Sequence, residues 1–253
     1  MIEQDLIMCR ALLAVYSDAF LQTRLAFRGG TALYKLCLLP PARYSEDLDF
    51  VQIASEPIRE TLDHLHDALD PWLGNPAYKA TANSAKLFYR FSLEEIPDVQ
   101  QRLKIEINTR EHAVAEELVD CPFIVNSRWI SGEVRIRTFS LETLLGTKLR
   151  ALYQRSKGRD LFDIDYALQT QTFDADNVIK AFVTHLARQN LRISTREFLR
   201  NLQEKIDDPQ FCADIPPLLR PDLTFDLQAA HARIKEILIA RIDDAWISLP
   251  IAP

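Results

Sequence analysis

The sequence predicts a mixed α/β (α+β) protein in which a sheet-bearing domain over residues 1–139 precedes a helical domain over residues 140–253. Three observations predict it. Short runs of alternating apolar and polar residues cluster between positions 46 and 138, as half-buried strands require. After Ser140 the apolar spacing lengthens to that of helices. The hydrophobic fraction of 47% and charged fraction of 26% suit a chain that folds around a core.

The elements follow in order. Residues 5–20 read as an amphipathic helix. Gly29-Gly30 precedes a short helix over Thr31–Leu36, which Pro40-Pro41 terminates. Glu46–Ile53 alternates as a strand does, and 57–73 is helical. Strands are expected at 77–82, 86–94 and 102–108, with 122–130 and 133–138 adding two more to a mixed sheet flanked by helices. Helices are expected at 141–156, 160–169, 175–188, 195–206 and 226–247, with breaks at 207–209 and 214–222.

Composition narrows the function classes. No apolar run approaches the roughly 18–20 residues that cross a bilayer, so no membrane partner is expected. The start Met1-Ile2-Glu3-Gln4-Asp5 is acidic where a signal peptide would be basic, which places the expected location in the cytoplasm. Cys9, Cys37, Cys121 and Cys212 are scattered without zinc-ligand spacing and read as small buried hydrophobes. A net charge of −6 argues against a wholly nucleic-acid-coated surface. Yet Arg128, Arg135, Arg137, Lys148, Arg150, Arg155, Lys157 and Arg159 face only Glu133 and Glu142 over one stretch, which suits local receipt of phosphates or, more commonly, a solvated face.

The chemistry-bearing pattern is Asp47-Leu48-Asp49-Phe50. Strand side chains alternate between faces, so Leu48 and Phe50 point one way and the two aspartates the other. Adjacent carboxylates on one face repel and call for solvent, a cation or a base. Leu103 to Asn108 repeats the alternation and puts Glu106 on its polar face. If the two strands are neighbours, Asp47, Asp49 and Glu106 form a site for Mg²⁺, with Mn²⁺ as the alternative ion. On an exposed edge, the same Asp-x-Asp would mean nothing.

Gly29-Gly30-Thr31 offers a sharp turn, close backbone approach and free N–H groups at a helix start. Thr31 either caps that helix or meets a phosphate oxygen. Neither a P-loop nor a dinucleotide-binding glycine fingerprint is present. In the helix at 141–156, Lys148 interrupts an apolar stripe of Leu141, Leu144, Leu145, Leu149 and Leu152, with Arg155 on the same side. Such an amine snorkels, pairs with a structural carboxylate, or meets an anionic ligand such as a triphosphate. Asp160 and Asp163, nearby, either face a cleft or serve the dipole of their own helix.

Taken together, Gly29-Gly30-Thr31-Ala32-Leu33, Ser45-Glu46-Asp47-Leu48-Asp49-Phe50, Lys104-Ile105-Glu106-Ile107-Asn108, Lys148-Leu149-Arg150-Ala151-Leu152 and Arg155 through Asp163 resemble the AbiEii-type nucleotidyltransferase toxins, a branch of the polymerase-β-like superfamily. The resemblance covers about residues 27 to 165. It implies a nucleotidyltransferase core sheet, a helical domain closing the active-site cleft, and a nucleoside triphosphate substrate. Gly29, Gly30, Thr31, Lys148 and Arg155 become the expected nucleotide-binding positions. Asp47, Asp49 and Glu106 become the metal ligands, and these three with Lys148 and Asp160 the catalytic set. An RNA acceptor, such as a tRNA 3′ end, and a cognate antitoxin are the implied partners. The long gap from Thr31 to Asp47 departs from the superfamily's shorter loop. A metal-dependent phosphohydrolase and a catalytically silent nucleotide-binding module are the competing expectations.

Overall fold

A computed structural model describes residues 2–93, 98, 100–112 and 118–248, which divide into two compact units. Unit 1 holds residues 1–37 and 45–140; unit 2 holds 38–44 and 141–253. The long gap between Thr31 and Asp47 is therefore where the chain leaves one unit and returns.

Unit 1 opens with α1 (Ile2–Ser17) and α2 (Ala19–Arg24). The expected single helix over 5–20 is two, because Asp18 adopts an extended backbone and its carboxylate accepts from the amides of Phe20 and Leu21. There follow β1 (Leu25–Arg28), α3 (Gly29–Ala32) with a wider helical turn over Leu33–Cys37, β2 (Asp47–Gln52), α4 (Arg59–Leu73), β3 (Ala77–Ala80), β4 (Ser84–Ser92), β5 (Gln100–Asn108), β6 (Leu118–Asn126) and β7 (Ser131–Phe139). The strands form one sheet in the order β3-β4-β5-β2-β1-β7-β6. The β2–β5 and β1–β7 pairs are parallel and the others antiparallel, so the sheet is mixed as expected.

One face of this sheet is packed. Leu48, Phe50, Leu87, Tyr89, Leu103, Ile105 and Ile107 are all buried on it. The Phe50 ring lies 6.3 Å from that of Tyr16 on α1, and Tyr89 Oη donates to Asp70 on α4 at 2.8 Å, so the helices α1, α2 and α4 cover this side. Each fully buried Leu or Phe contributes about 1.5–3 kcal/mol, which fixes the strand register, since a one-residue slip would turn this set to the other face. The opposite face of β2, β5 and β4 carries Asp47, Asp49, Lys86, Lys104 and Glu106.

Unit 2 is helical: α5 (Leu141–Gln154), α6 (Gly158–Thr170), α7 (Ala175–Ala187), α8 (Thr195–Ile206), α9 (Pro209–Ala213), α10 (Leu227–Ile237) and α11 (Ile242–Ser248). Here α5 packs on α6, α7 and α8. Gly146 permits the α5–α7 approach, because a Cβ there would stand 2.7 Å from Ala181 Cβ. The helix expected over 226–247 breaks after Ile237. Side chains satisfy the carbonyls at the break: Arg241 Nε donates to Ile237 O at 2.7 Å and Thr195 Oγ1 to Ile239 O at 3.2 Å.

Candidate active site

β2 presents Asp47 and Asp49 on the open face because Leu48 and Phe50 are held in the core on the other. The parallel register with β5 sets Asp47 beside Lys104 and Asp49 beside Glu106. On the far side of β5, antiparallel β4 sets Lys86 beside Glu106. Lys104 Nζ reaches Asp47 Oδ2 at 2.8 Å and Glu106 Oε2 at 3.3 Å, while Lys86 Nζ reaches Glu106 Oε1 at 2.8 Å. Three carboxylates thus share two ammonium groups.

The like-charged Asp49–Glu106 pair carries an electrostatic cost, since such neighbours directly across a sheet destabilise it. Burial pushes the Asp49 carboxyl up from its ordinary value. The charges of Asp47 and Glu106 add to that, against the pull of Lys104 and Arg28. Glu106 goes the other way: its two lysines outweigh its burial and hold it below the usual range. Lys104 is raised, because the carboxylates around it outweigh its desolvation.

The glycine pair belongs to the same place. Gly29 has φ +82°, and a Cβ there would meet Asp49 Oδ2 at 2.7 Å. Glycine is needed both for the backbone angle and for this approach. Gly30 follows it in α3. Thr31 is buried; its hydroxyl donates to the Asp47 carbonyl at 2.5 Å and is hydrogen-bonded with Ser45 Oγ. It anchors the turn to the start of β2.

Asp47 and Asp49 fit a hard divalent cation by chemistry: two oxygen donors on one strand face, whose mutual repulsion a cation relieves. Glu106, expected as a third ligand, is engaged by Lys86 and Lys104. Among the described residues, no group of three or more His, Cys, Asp or Glu is arranged to hold a metal.

Lys148, Arg155 and Asp160 lie together in unit 2. Lys148 Nζ is 3.1 Å from Asp160 Oδ1 and 2.9 Å from Asp163 Oδ2. Arg155 grips Asp160 with Nε at 2.7 Å and Nη2 at 2.9 Å. Arg43, from the 38–44 segment, grips Asp163 with Nε at 2.6 Å and Nη2 at 2.7 Å. Both aspartate side chains have 0% exposure and that of Lys148 6%. Although burial opposes it, these cations hold both carboxyls below the ordinary range.

Other members of the basic stretch are likewise engaged. Arg137 pairs with Asp120 at 3.0 Å, Arg135 donates to the Asp120 carbonyl at 2.9 Å, and Lys157 and Arg159 flank Asp214 at 3.5 and 3.9 Å. Arg128 stacks over Trp129, 4.0 Å from the ring centre.

Reading the sequence for carboxylates missed Lys86, Lys104 and Arg43. Lys104 was recoverable, being two residues before Glu106 and hence on its face. Arg43 carried no local signal.

The profile of the nucleotidyl transferase AbiEii toxin family, type IV toxin–antitoxin system, matches residues 10–240. The chain belongs to the AbiEii family. It is a nucleotidyltransferase of the toxin type, with a nucleoside triphosphate as the substrate its family implies. Its fold is similar to that of JHP933 from Helicobacter pylori, at 20% identity and TM-score 0.60 over 98% of this chain and 95% of that one. It is similar too to MenT4, a nucleotidyltransferase toxin from Mycobacterium tuberculosis H37Rv, at 18% identity and TM-score 0.57 over 95% and 92% of the respective chains. At these identities the likeness speaks for the fold. A search of curated proteins found no match. No helix among the described residues is long and apolar enough to cross a membrane.

Proposed function

We propose that this AbiEii-family chain is an Mg²⁺-dependent transferase that moves a nucleotide from a nucleoside triphosphate to an RNA hydroxyl, with a tRNA 3′ end as the expected acceptor. It works in the cytoplasm as the toxin partner of a cognate antitoxin. One observation supports the site above others: Gly29 closes on Asp49, which already stands beside Asp47 and opposite Glu106. A fold indifferent to chemistry has no reason to gather three carboxylates on an open sheet face and press a backbone turn against one of them.

Asp47 and Asp49 would hold the divalent ion. When bound, that ion supplies charge neutralisation for the triphosphate and a lowered pKa for the acceptor hydroxyl. The turn at Gly29 and Gly30 lets the triphosphate approach the backbone, while Thr31 holds that turn against β2. The acceptor oxygen attacks the α-phosphorus, the α–β bridging bond breaks, and pyrophosphate leaves. The hydroxyl proton departs toward the Asp49–Glu106 pair. Lys104 keeps the cluster compensated between turnovers. In this reading Lys148, Asp160 and Arg155 act in unit 2 as a closed structural network, with Arg43 and Asp163.

Incubating the protein with α-labelled triphosphates, total RNA and Mg²⁺ tests the reading. Label is expected on RNA and is expected to vanish with a chelator. Label recovered only as free nucleotide would instead make the protein a phosphohydrolase.

A further inference from the structure

The face that carries the aspartates continues along β4 and β5 as a band of cations around one aromatic ring. Strand alternation places Lys86, Phe88 and Arg90 of β4 on that face, opposite the buried Leu87 and Tyr89. Their register partners across β5 are Glu106, Lys104 and Arg102. The two lysines nearest the aspartates are paired with them, as described. Beyond them, Arg90 and Arg102 stand directly opposite each other, both exposed, and among the described residues neither has an acidic partner. Arg102 lies over the Phe88 ring, 5.2 Å from its centre.

Two guanidinium groups placed opposite each other repel, as like charges across a sheet do. An arriving polyanion relieves that repulsion. The half-buried Phe88 between the arginines and the lysines gives the band a flat apolar surface, which phosphate binding alone does not need. Cations flanking an aromatic on an open sheet face combine backbone neutralisation with base stacking, the two means by which proteins hold single-stranded nucleic acid. The chain as a whole is acidic, at −6, so the band is not a sample of a generally basic surface. It also runs along the strand that carries Lys104 and Glu106, toward Asp47 and Asp49. The basic stretch from Arg128 to Arg159 offers no comparable set, since most of its cations are engaged within the protein.

We infer that the β4–β5 face is the docking track for a single-stranded RNA acceptor, with Arg90 and Arg102 on its phosphates and Phe88 stacked on a base. This rests on the RNA-transfer reading above and adds the surface that delivers the acceptor.

The test uses the full chain and a fluorescent mixed-sequence RNA oligonucleotide, with binding followed by anisotropy across a salt series. The double variant Arg90→Gln/Arg102→Gln should bind about tenfold more weakly near 0.15 M salt, and its log K against log salt slope should be shallower by about 1.4. Phe88→Ala should weaken binding by about tenfold with the slope unchanged, and Phe88→Trp should restore it. Arg135→Gln should bind as wild type does. Thermal melts identify any variant that fails to fold, and the exposed arginines keep the test open if Phe88→Ala does. A folded double variant that binds RNA, and is saturated by it as an acceptor, as wild type is would overturn the inference and leave the transfer reading standing. Wild-type protein that neither binds nor labels RNA would overturn both. Displacement of RNA by poly-glutamate of matched charge as readily as by unlabelled RNA, with Phe88→Ala silent, would overturn the inference in favour of an acidic protein partner.

Discussion

The two acidic clusters of this chain look alike in sequence and differ in physics. In unit 2, Asp160 and Asp163 are fully enclosed and met by three cations, Lys148, Arg43 and Arg155. In unit 1, three carboxylates share Lys86 and Lys104, and the side chain of Asp47 keeps 41% of its surface in solvent. The first arrangement gives each enclosed carboxylate two cationic partners, and both carboxyls are held low. In the second, burial first and then the charges of Asp47 and Glu106 push Asp49 up, against the pull of Lys104 and Arg28. Enclosure with cationic partners builds structure, whereas an accessible cluster of like charges marks a place for a ligand.

Removing charges one at a time should separate the two. Asp47→Asn or Asp49→Asn should lower nucleotide transfer by about 10³-fold, the several kcal/mol attributed to a catalytic metal, while the melting temperature of Asp49→Asn stays level or rises. Lys148→Met should do the reverse. It takes away the ammonium that both enclosed carboxylates share and leaves each with one arginine, so denaturant unfolding should report a loss of about 1–3 kcal/mol, with activity falling only as the folded fraction does. A raised triphosphate KM at full stability would return Lys148 to the nucleotide site.

Gly29→Ala sharpens the contrast from the backbone side. The positive φ adds strain of about 1–3 kcal/mol, and the new Cβ must displace Asp49, so kcat should drop by about 10²-fold in steady-state assays.

Acid should also act differently on the two clusters. The Asp160 and Asp163 pKa values are lowered from 3.8 on folding, so their stabilising contribution is complete above that value and is lost as pH falls through their depressed values. Asp49 is raised, by burial first, so it takes up its proton at higher pH than Asp160 and Asp163 do, and the acid limb of transfer should be met, as pH falls, before acid unfolding. Lys104→Gln removes a charge that lowers the Asp49 pKa. It should move that limb to higher pH and, at neutral pH, tighten Mn²⁺ binding by about threefold, the scale of a partly exposed ion pair of ~0.2–1 kcal/mol. An unmoved limb would mean that Asp49 is not the titrating group.

Much of the fold was legible because local signals dominate where strands and helices alternate cleanly. Leu48 and Phe50 had to face the core, which put Asp47 and Asp49 on the open side, and the β2–β5 pairing then brought Glu106 beside Asp49. Long-range pairing was not legible. Nothing near Arg43 indicates that residues 38–44 join the helical unit, and nothing near Lys148 identifies which carboxylates enclose it. The basic stretch misled for the same reason: Asp120 and Asp214, which between them hold Arg135, Arg137, Lys157 and Arg159, lie outside it in sequence. Helix breaks carried by side chains, as at Ile237, left no glycine or proline to read.

The most direct measurement is transfer of α-labelled nucleotide to RNA by Asp49→Asn, run beside its thermal melt. The account predicts a folded protein, melting at or above the wild-type temperature, with transfer reduced by about 10³-fold. Transfer at the wild-type rate by that folded variant would contradict it.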